Sequence, residues 1–199
     1  MKSWVAAWTI EAALTCALNA SAQERPTRLA LTARVDDYAD VPRRLLAEAE
    51  AYATTAYRSA GIELIWSPGV SAGTPPVERP FDVRVVILSG DQAESKCHAE
   101  RLANEVMGVA MSAATHAKAR IAYIFYDRIR LISLAKRASA GDGLGHVIAH
   151  EIGHLLIGIN SHSEVGLMRP HWDPCDRTLQ TFTFRQVRII RERFPTTAN

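Results

Sequence analysis

The sequence predicts a mixed α/β protein folded as one domain, and three observations lead there. Short runs rich in β-branched and aromatic residues alternate with longer runs whose apolar residues recur at helical spacing. No internal repeat interrupts the alternation. With 199 residues, 48% of them hydrophobic by a broad count, the chain suffices for one substantial core and is short for two.

The first residues stand apart. Met1 and Lys2 lead into a mostly apolar stretch that ends Asn19, Ala20, Ser21, Ala22, with small residues where a signal peptidase reads. Residues 1–22 are therefore expected to be an export signal cleaved after Ala22, giving a secreted or periplasmic protein of residues 23–199. Thr9 and Glu11 interrupt the apolar run, and an uncleaved amphipathic helix is the competing reading. No other segment approaches the length of a membrane span.

Residues 29–35 carry β-suited side chains and make a first strand. Pro42 opens a helix to about Ala60, with Leu45, Ala49, Tyr52, Ala53 and Ala56 at helical spacing, and Gly61 ends it. Residues 62–66 form the next strand, separated by a proline- and glycine-rich loop over 67–80 from a strand over 81–88. A helical turn is expected at 97–104, a short edge strand at 106–112 with Gly108 inside it, a buried strand at 120–126 and a helix over about 127–138. Gly141, Gly143 and Gly145 then lead to a helix built on Val147, Ile148, Ile152, Leu155, Leu156 and Ile159. Gly158 is its expected stop, because glycine enters the left-handed region without steric cost. Thr183 and Gln186 fit a capping box opening a last helix with Val187, Ile189, Ile190 and Phe194 inward and Arg185, Arg188, Arg191 and Arg193 on the wet face. The formal net charge of +2 indicates no commitment to nucleic acid or to a membrane surface.

The chemistry is concentrated in His150, Glu151, Ile152, Gly153, His154 and the chain just beyond. Residues four apart on a helix share a face, so His150 and His154 can aim two imidazoles at one ion while Glu151, angled off it, holds the ion's water and takes its proton. A third ligand has to come from chain that has turned back, and His162 is the candidate. A buried helix whose histidines are merely hydrogen-bonded is the plainer alternative, and it gives no reason for His162 or for the Gly166, Leu167, Met168 turn. His146, one turn before His150, reads as a capping or supporting residue at the helix start, and His98 and His116 as exposed.

The run from His150 to Met168 resembles the zinc-binding segment of the metzincin metalloproteases, nearest to matrixins, in which HExxHxxGxxH is followed by a tight turn with methionine beneath the metal. Here Gly158 arrives one residue later and His162 two residues later than in that pattern, a difference that a longer helix and wider loop would absorb. The resemblance implies His150, His154 and His162 as Zn2+ ligands, Glu151 as general base and Met168 as the turn methionine. It also implies a twisted mixed sheet packed on the active-site helix, a short C-terminal part with a final helix, and secreted endopeptidase activity on peptide or protein substrates. An extended substrate would pair with an edge strand, for which Val106, Gly108 and Ala110 are the candidates, although that segment is equally readable as an edge strand alone. Arg169, Pro170, His171 and Trp172 would wall the pocket after the scissile bond, with His171 at the rim and Trp172 readable as core. A non-catalytic secreted zinc-binding module and a zinc amidase acting on cell-wall or small-molecule amides are the alternative functions.

Cysteine usage agrees with export. Of Cys16, Cys97 and Cys175, removal of the signal leaves a pair, and a disulfide between Cys97 and Cys175 would close a long loop worth about 4 kcal/mol on the chain-entropy model.

Overall fold

The computed structural model describes residues 29–69, 82–112 and 120–193. The expected export signal over 1–22, most of the 67–80 loop, His116 and Phe194 lie outside the described residues. The elements run β1 (Leu29–Asp37), α1 (Arg43–Ser59), β2 (Ile62–Pro68), β3 (Asp82–Leu88), α2 (Gly90–Ala99), β4 (Gly108–Ser112), β5 (Arg120–Phe125), α3 (Tyr126–Lys136), α4 (Ala140–Ile157) and α5 (Phe184–Arg193). They form a single mixed α/β domain.

The five strands lie in the order β2-β1-β3-β5-β4, all parallel except β4, which runs antiparallel to β5 at one edge. Strand periodicity sorts the side chains. Leu31, Ala33, Val83, Val85, Ile87, Ala122 and Ile124 face the main core with α1 and α4, while Val86, Leu88 and Phe125 face the other way, beneath Ala93 and Cys97 of α2. Covering the sheet on both faces explains why β3 and β5 read as nearly continuous apolar runs rather than alternating ones.

The position of α4 is set by small residues. Ala49, Ala53 and Ala56 of α1 are fully buried, and a Cβ on Gly145 would stand 2.6 Å from the Ala49 carbonyl oxygen. One on Gly141 would meet Glu48. The two helices thus approach closely, and the Tyr57 hydroxyl donates to the Ala149 carbonyl at 3.0 Å across the contact. This corrects the sequence expectation: Gly141, Gly143 and Gly145 lie inside α4, because a close interhelical contact outweighs glycine's poor helix propensity. His146 consequently sits in the body of the helix, not at its start. The N-cap is Ser139, whose hydroxyl accepts from the Asp142 N–H at 3.0 Å.

Two further expectations change. The helix near Cys97 spans Gly90–Ala99, earlier than the turn expected at 97–104; only Ala93 and Cys97 of its ten residues are buried, so its polar sequence hid its periodicity. Cys97 and Cys175 are both free. Cys97 is buried on the α2 face of the sheet, whereas Cys175 is exposed in the loop before α5, between Pro174 and Asp176, which line a cleft with Tyr52 of α1, so the expected disulfide is not formed. The capping box is present: the Thr183 N–H donates to Gln186 Oε1 at 2.9 Å and the Gln186 N–H to Thr183 Oγ1 at 3.4 Å. Among the described residues no helix is long and apolar enough to cross a membrane.

Candidate metal centre

α4 is buried along almost its whole length, which orients its polar residues strictly. His150 and His154 stand one turn apart, and at Gly158 the chain leaves the helix with φ 124° and ψ 160°. That is glycine's mirror-extended region rather than the expected left-handed helical one, and it takes the chain back across the end of the helix. His162 therefore returns to the other two rings. His154 Nε2 lies 3.0 Å from His150 Nε2 and 3.1 Å from His162 Nε2.

Between His150 and His154 the short separation is not a hydrogen bond. His150 Nδ1 lies 2.9 Å from the Leu167 carbonyl oxygen and His154 Nδ1 lies 3.2 Å from that of Gly158. Carbonyls only accept, so each Nδ1 carries the ring proton and each neutral ring presents a bare lone pair at Nε2. Burial holds both rings in the neutral form, lowering the His150 pKa to about 4 and that of His154 below its ordinary value. The lone pairs of His150 and His154 thus face each other beside the His162 ring, and the three histidines lie close enough to hold a metal ion.

The chain around the rings is tied down from several directions. Gly166, at φ 80°, starts a turn closed by the Arg169 N–H to the Gly166 carbonyl at 3.2 Å; this turn presents the Leu167 carbonyl to His150 and buries Met168 completely. The Met168 sulfur lies against Gly153, where a Cβ would be only 2.5 Å from it, so the methionine lies under the helix beside His154. The Ser161 hydroxyl lies 3.1 Å from His154 Nδ1. Gln186 reaches with its Nε2 to the Ser161 carbonyl (3.3 Å) and the Ser163 hydroxyl (3.0 Å), holding the chain on either side of His162. The capping pattern located Gln186 in the sequence, but nothing there signalled this second contact.

Glu151 points away from the ring nitrogens toward β4. It is buried against Gly108, where a Cβ would come within 2.7 Å of its Cγ, and its carboxylate accepts from the Ala110 N–H. Gly108, read only as a break within a strand, leaves the space this carboxylate occupies. Burial raises the Glu151 pKa to about 8, against the opposing hydrogen bond.

His146 is also buried. Its Nδ1 lies 3.3 Å from the Tyr52 hydroxyl, which accepts the Gln180 N–H, and its ring stacks on Trp172. Trp172 in turn lies over Gly143. Tyr52 comes from α1, ninety-four positions away from His146, so no local pattern could have announced it.

A cavity of about 530 Å³ opens beside the three histidines. Val106, Gly108 and Ala110 line one side, and Arg169, Pro170, His171 and Trp172 another. Val109, Val147 and Ile159 add to its apolar lining, as do Met107 and Ile132, for which no local pattern suggests such a place. Pro170 and His171 are exposed at its margin. His98 is exposed and lies on α2, away from the site.

Buried neutral histidines make the metal-free protein acid-sensitive. His146 and His150 have folded pKa values of about 3 and about 4, below the 6.5 of an unperturbed histidine, so below pH 6.5 the unfolded chain binds more protons than the folded one. Each is expected to remove about 1.4 kcal/mol per pH unit as pH falls from 6.5 toward its folded value. Glu151 acts in the opposite sense between 4.5 and about 8, where the folded state retains a proton that the unfolded state has lost. Denaturant titrations of the chelated protein should therefore show stability falling on acidification below pH 6.5, most steeply below 4.5, where the Glu151 contribution has ended; a flat profile would contradict the buried neutral rings.

Fold and site together define a mixed α/β domain with a three-histidine cluster able to hold a metal ion at the foot of a cavity. In comparisons with known proteins, no protein-family model and no curated sequence matches the chain.

Proposed function

We propose that the protein is a secreted zinc-dependent endopeptidase of metzincin type. The observation that carries this reading is the convergence of three imidazoles whose Nε2 atoms lie 3.0 and 3.1 Å apart, beside a carboxylate that does not join them. At the ~2.0–2.1 Å of zinc–imidazole bonds, tetrahedral angles place ligand nitrogens about 3.3 Å apart, so the cluster needs little adjustment to take that ion. An all-imidazole donor set also suits zinc better than calcium or magnesium, which take oxygen ligands. Once bound, zinc supplies a Lewis acid that polarises a carbonyl and makes water acidic enough to ionise near neutral pH.

The chain supplies the rest. The Glu151 carboxylate borders the cavity and is placed to accept a proton from attacking water and to return it to the leaving amine. Its burial favours holding the proton between the two events. β4 offers the place for an extended substrate. The Phe125 N–H donates to the Met107 carbonyl, so by antiparallel alternation Gly108, Ala110 and Ser112 turn their backbone groups away from β5. The Ala110 N–H is already given to Glu151, which ties the base to the strand where a peptide would lie. The N-terminal residues support export, and the cavity that opens beside the three histidines favours catalysis over a metal that only staples the fold.

The test is zinc content and peptide hydrolysis measured on wild type and on His162→Ala. Wild type should carry one zinc per chain and cleave casein-type or peptide-library substrates, with chelator abolishing cleavage. The variant should lose both. Undiminished zinc in His162→Ala would remove the third ligand from the scheme, and a zinc-loaded wild type inert toward every peptide would defeat the endopeptidase.

A further inference from the structure

The cavity contains a charge that peptide hydrolysis does not use. Arg169 follows Met168 directly, is half-buried, and lines the cavity with His146, His171 and Trp172. Its backbone is fixed by the turn to Gly166 and by complete burial of Met168, and the residue also lines a small adjoining cleft with Asp173 and Asp176. Its charge reaches the His146 ring and the Asp176 carboxylate.

Neither neighbour makes a contact ion pair with it among the described residues. His146 is held neutral by burial. Asp176 is attracted to Arg169, but its close contacts are the Thr178 N–H and hydroxyl, at 3.0 and 2.6 Å, and Gln180 Nε2 at 3.0 Å. Among the described residues no carboxylate pairs with Arg169. Of the acidic residues lining the cavity, Glu151 faces β4 and Glu105 is exposed at the margin. A half-buried cation that has no contact ion pair can still take up an anion brought by a ligand, and the planar guanidinium fork matches the two oxygens of a carboxylate.

We infer that Arg169 anchors a carboxylate of the substrate, either an acidic side chain beside the scissile bond or the free C-terminus of a short peptide. The reaction in this inference rests on the hydrolase proposed above; the recognition does not. Such an anchor makes the site selective for anionic peptides, and the apolar lining from Met107, Ile132 and Val147 would accommodate the remainder of the bound residue.

The experiment is a calorimetric titration of the zinc-loaded Glu151→Gln protein, which should bind without cleaving, with three peptides of otherwise equal sequence. One has a central glutamate and an amidated end, one a central glutamine and a free C-terminus, and one a central glutamine and an amidated end. At least one carboxylate peptide should bind about tenfold or more tightly than the uncharged one, and which of them does so identifies the source of the carboxylate. Adding Arg169→Gln should erase that preference, bringing all three peptides to the same affinity, and Arg169→Lys should restore part of it. Equal affinity for all three peptides, or a preference that survives Arg169→Gln because the metal alone holds the carboxylate, would overturn the inference. The same peptides offered to the protein with Glu151 intact separate the two ideas. An Arg169-dependent preference without cleavage counts against the peptidase alone, and cleavage without preference counts against the anchor alone.

Discussion

Glu151→Gln is expected to leave the metal in place and to lower the rate of peptide hydrolysis by about two to four orders of magnitude. The carboxylate is directed to β4 and lies outside the three-nitrogen cluster, so its replacement removes no ligand. Glutamine has nearly the same volume and keeps an oxygen for the Ala110 N–H, which limits disturbance of the wall formed with Gly108. What disappears is the ability to accept a proton. Two measurements on the purified variant decide the matter: zinc per chain, expected to equal wild type, and kcat on a cleaved peptide, expected to collapse. A second consequence has a definite sign. Because burial makes ionised Glu151 costly, the neutral amide should render the metal-free variant more stable than metal-free wild type at pH 8 and above, while near pH 4 the two should converge. If the variant hydrolyses at the wild-type rate, Glu151 is not the base.

His150→Ala is expected to abolish metal binding and, with it, the stability that the bound ion confers. A ligand present at a thousandfold excess over its dissociation constant adds about 4 kcal/mol to a folded state that alone can bind it. For a domain of this size that corresponds to roughly 10 °C in Tm. Wild type should therefore melt about that much higher with zinc than with chelator, whereas His150→Ala should melt at one temperature in both. The ring is only partly exposed and its Nδ1 holds the Leu167 carbonyl, so some intrinsic destabilisation is also expected. The zinc-dependent difference isolates the metal from that loss. An undiminished zinc shift in His150→Ala would place the ion elsewhere.

Much of this architecture is legible before any coordinates. The strands at 29–35, 62–66 and 120–126 announce themselves by β-branched and apolar runs, and α1 and α5 by helical spacing with Pro42 or the Thr183–Gln186 box at their starts. α2 was misplaced because a helix that buries only Ala93 and Cys97 carries almost no periodic signal. The three glycines before His150 read as a lead-in, since helix propensity describes an isolated segment and cannot register that the Ala49 carbonyl stands 2.6 Å from where a Gly145 side chain would begin. The cysteine pair misled for a similar reason: counting thiols gives no information about which face of a sheet each one occupies.

By itself the sequence determined the donor set, because the i, i+4 relation of His150 and His154 is a property of any helix and needs no partner. It also identified His162, Glu151 and Met168 as the residues to watch. Only the tertiary structure decided that His162 returns to the other two rings despite its longer spacing, that Leu167 and Gly158 fix the ring protons so that the lone pairs face one another, and that Gly108 opens the space for Glu151. These are contacts between segments whose separation along the chain carries no periodicity. They arise from how α4, β4 and the turn after the helix pack together, and packing is settled by the shape of the whole core rather than by any local run of residues.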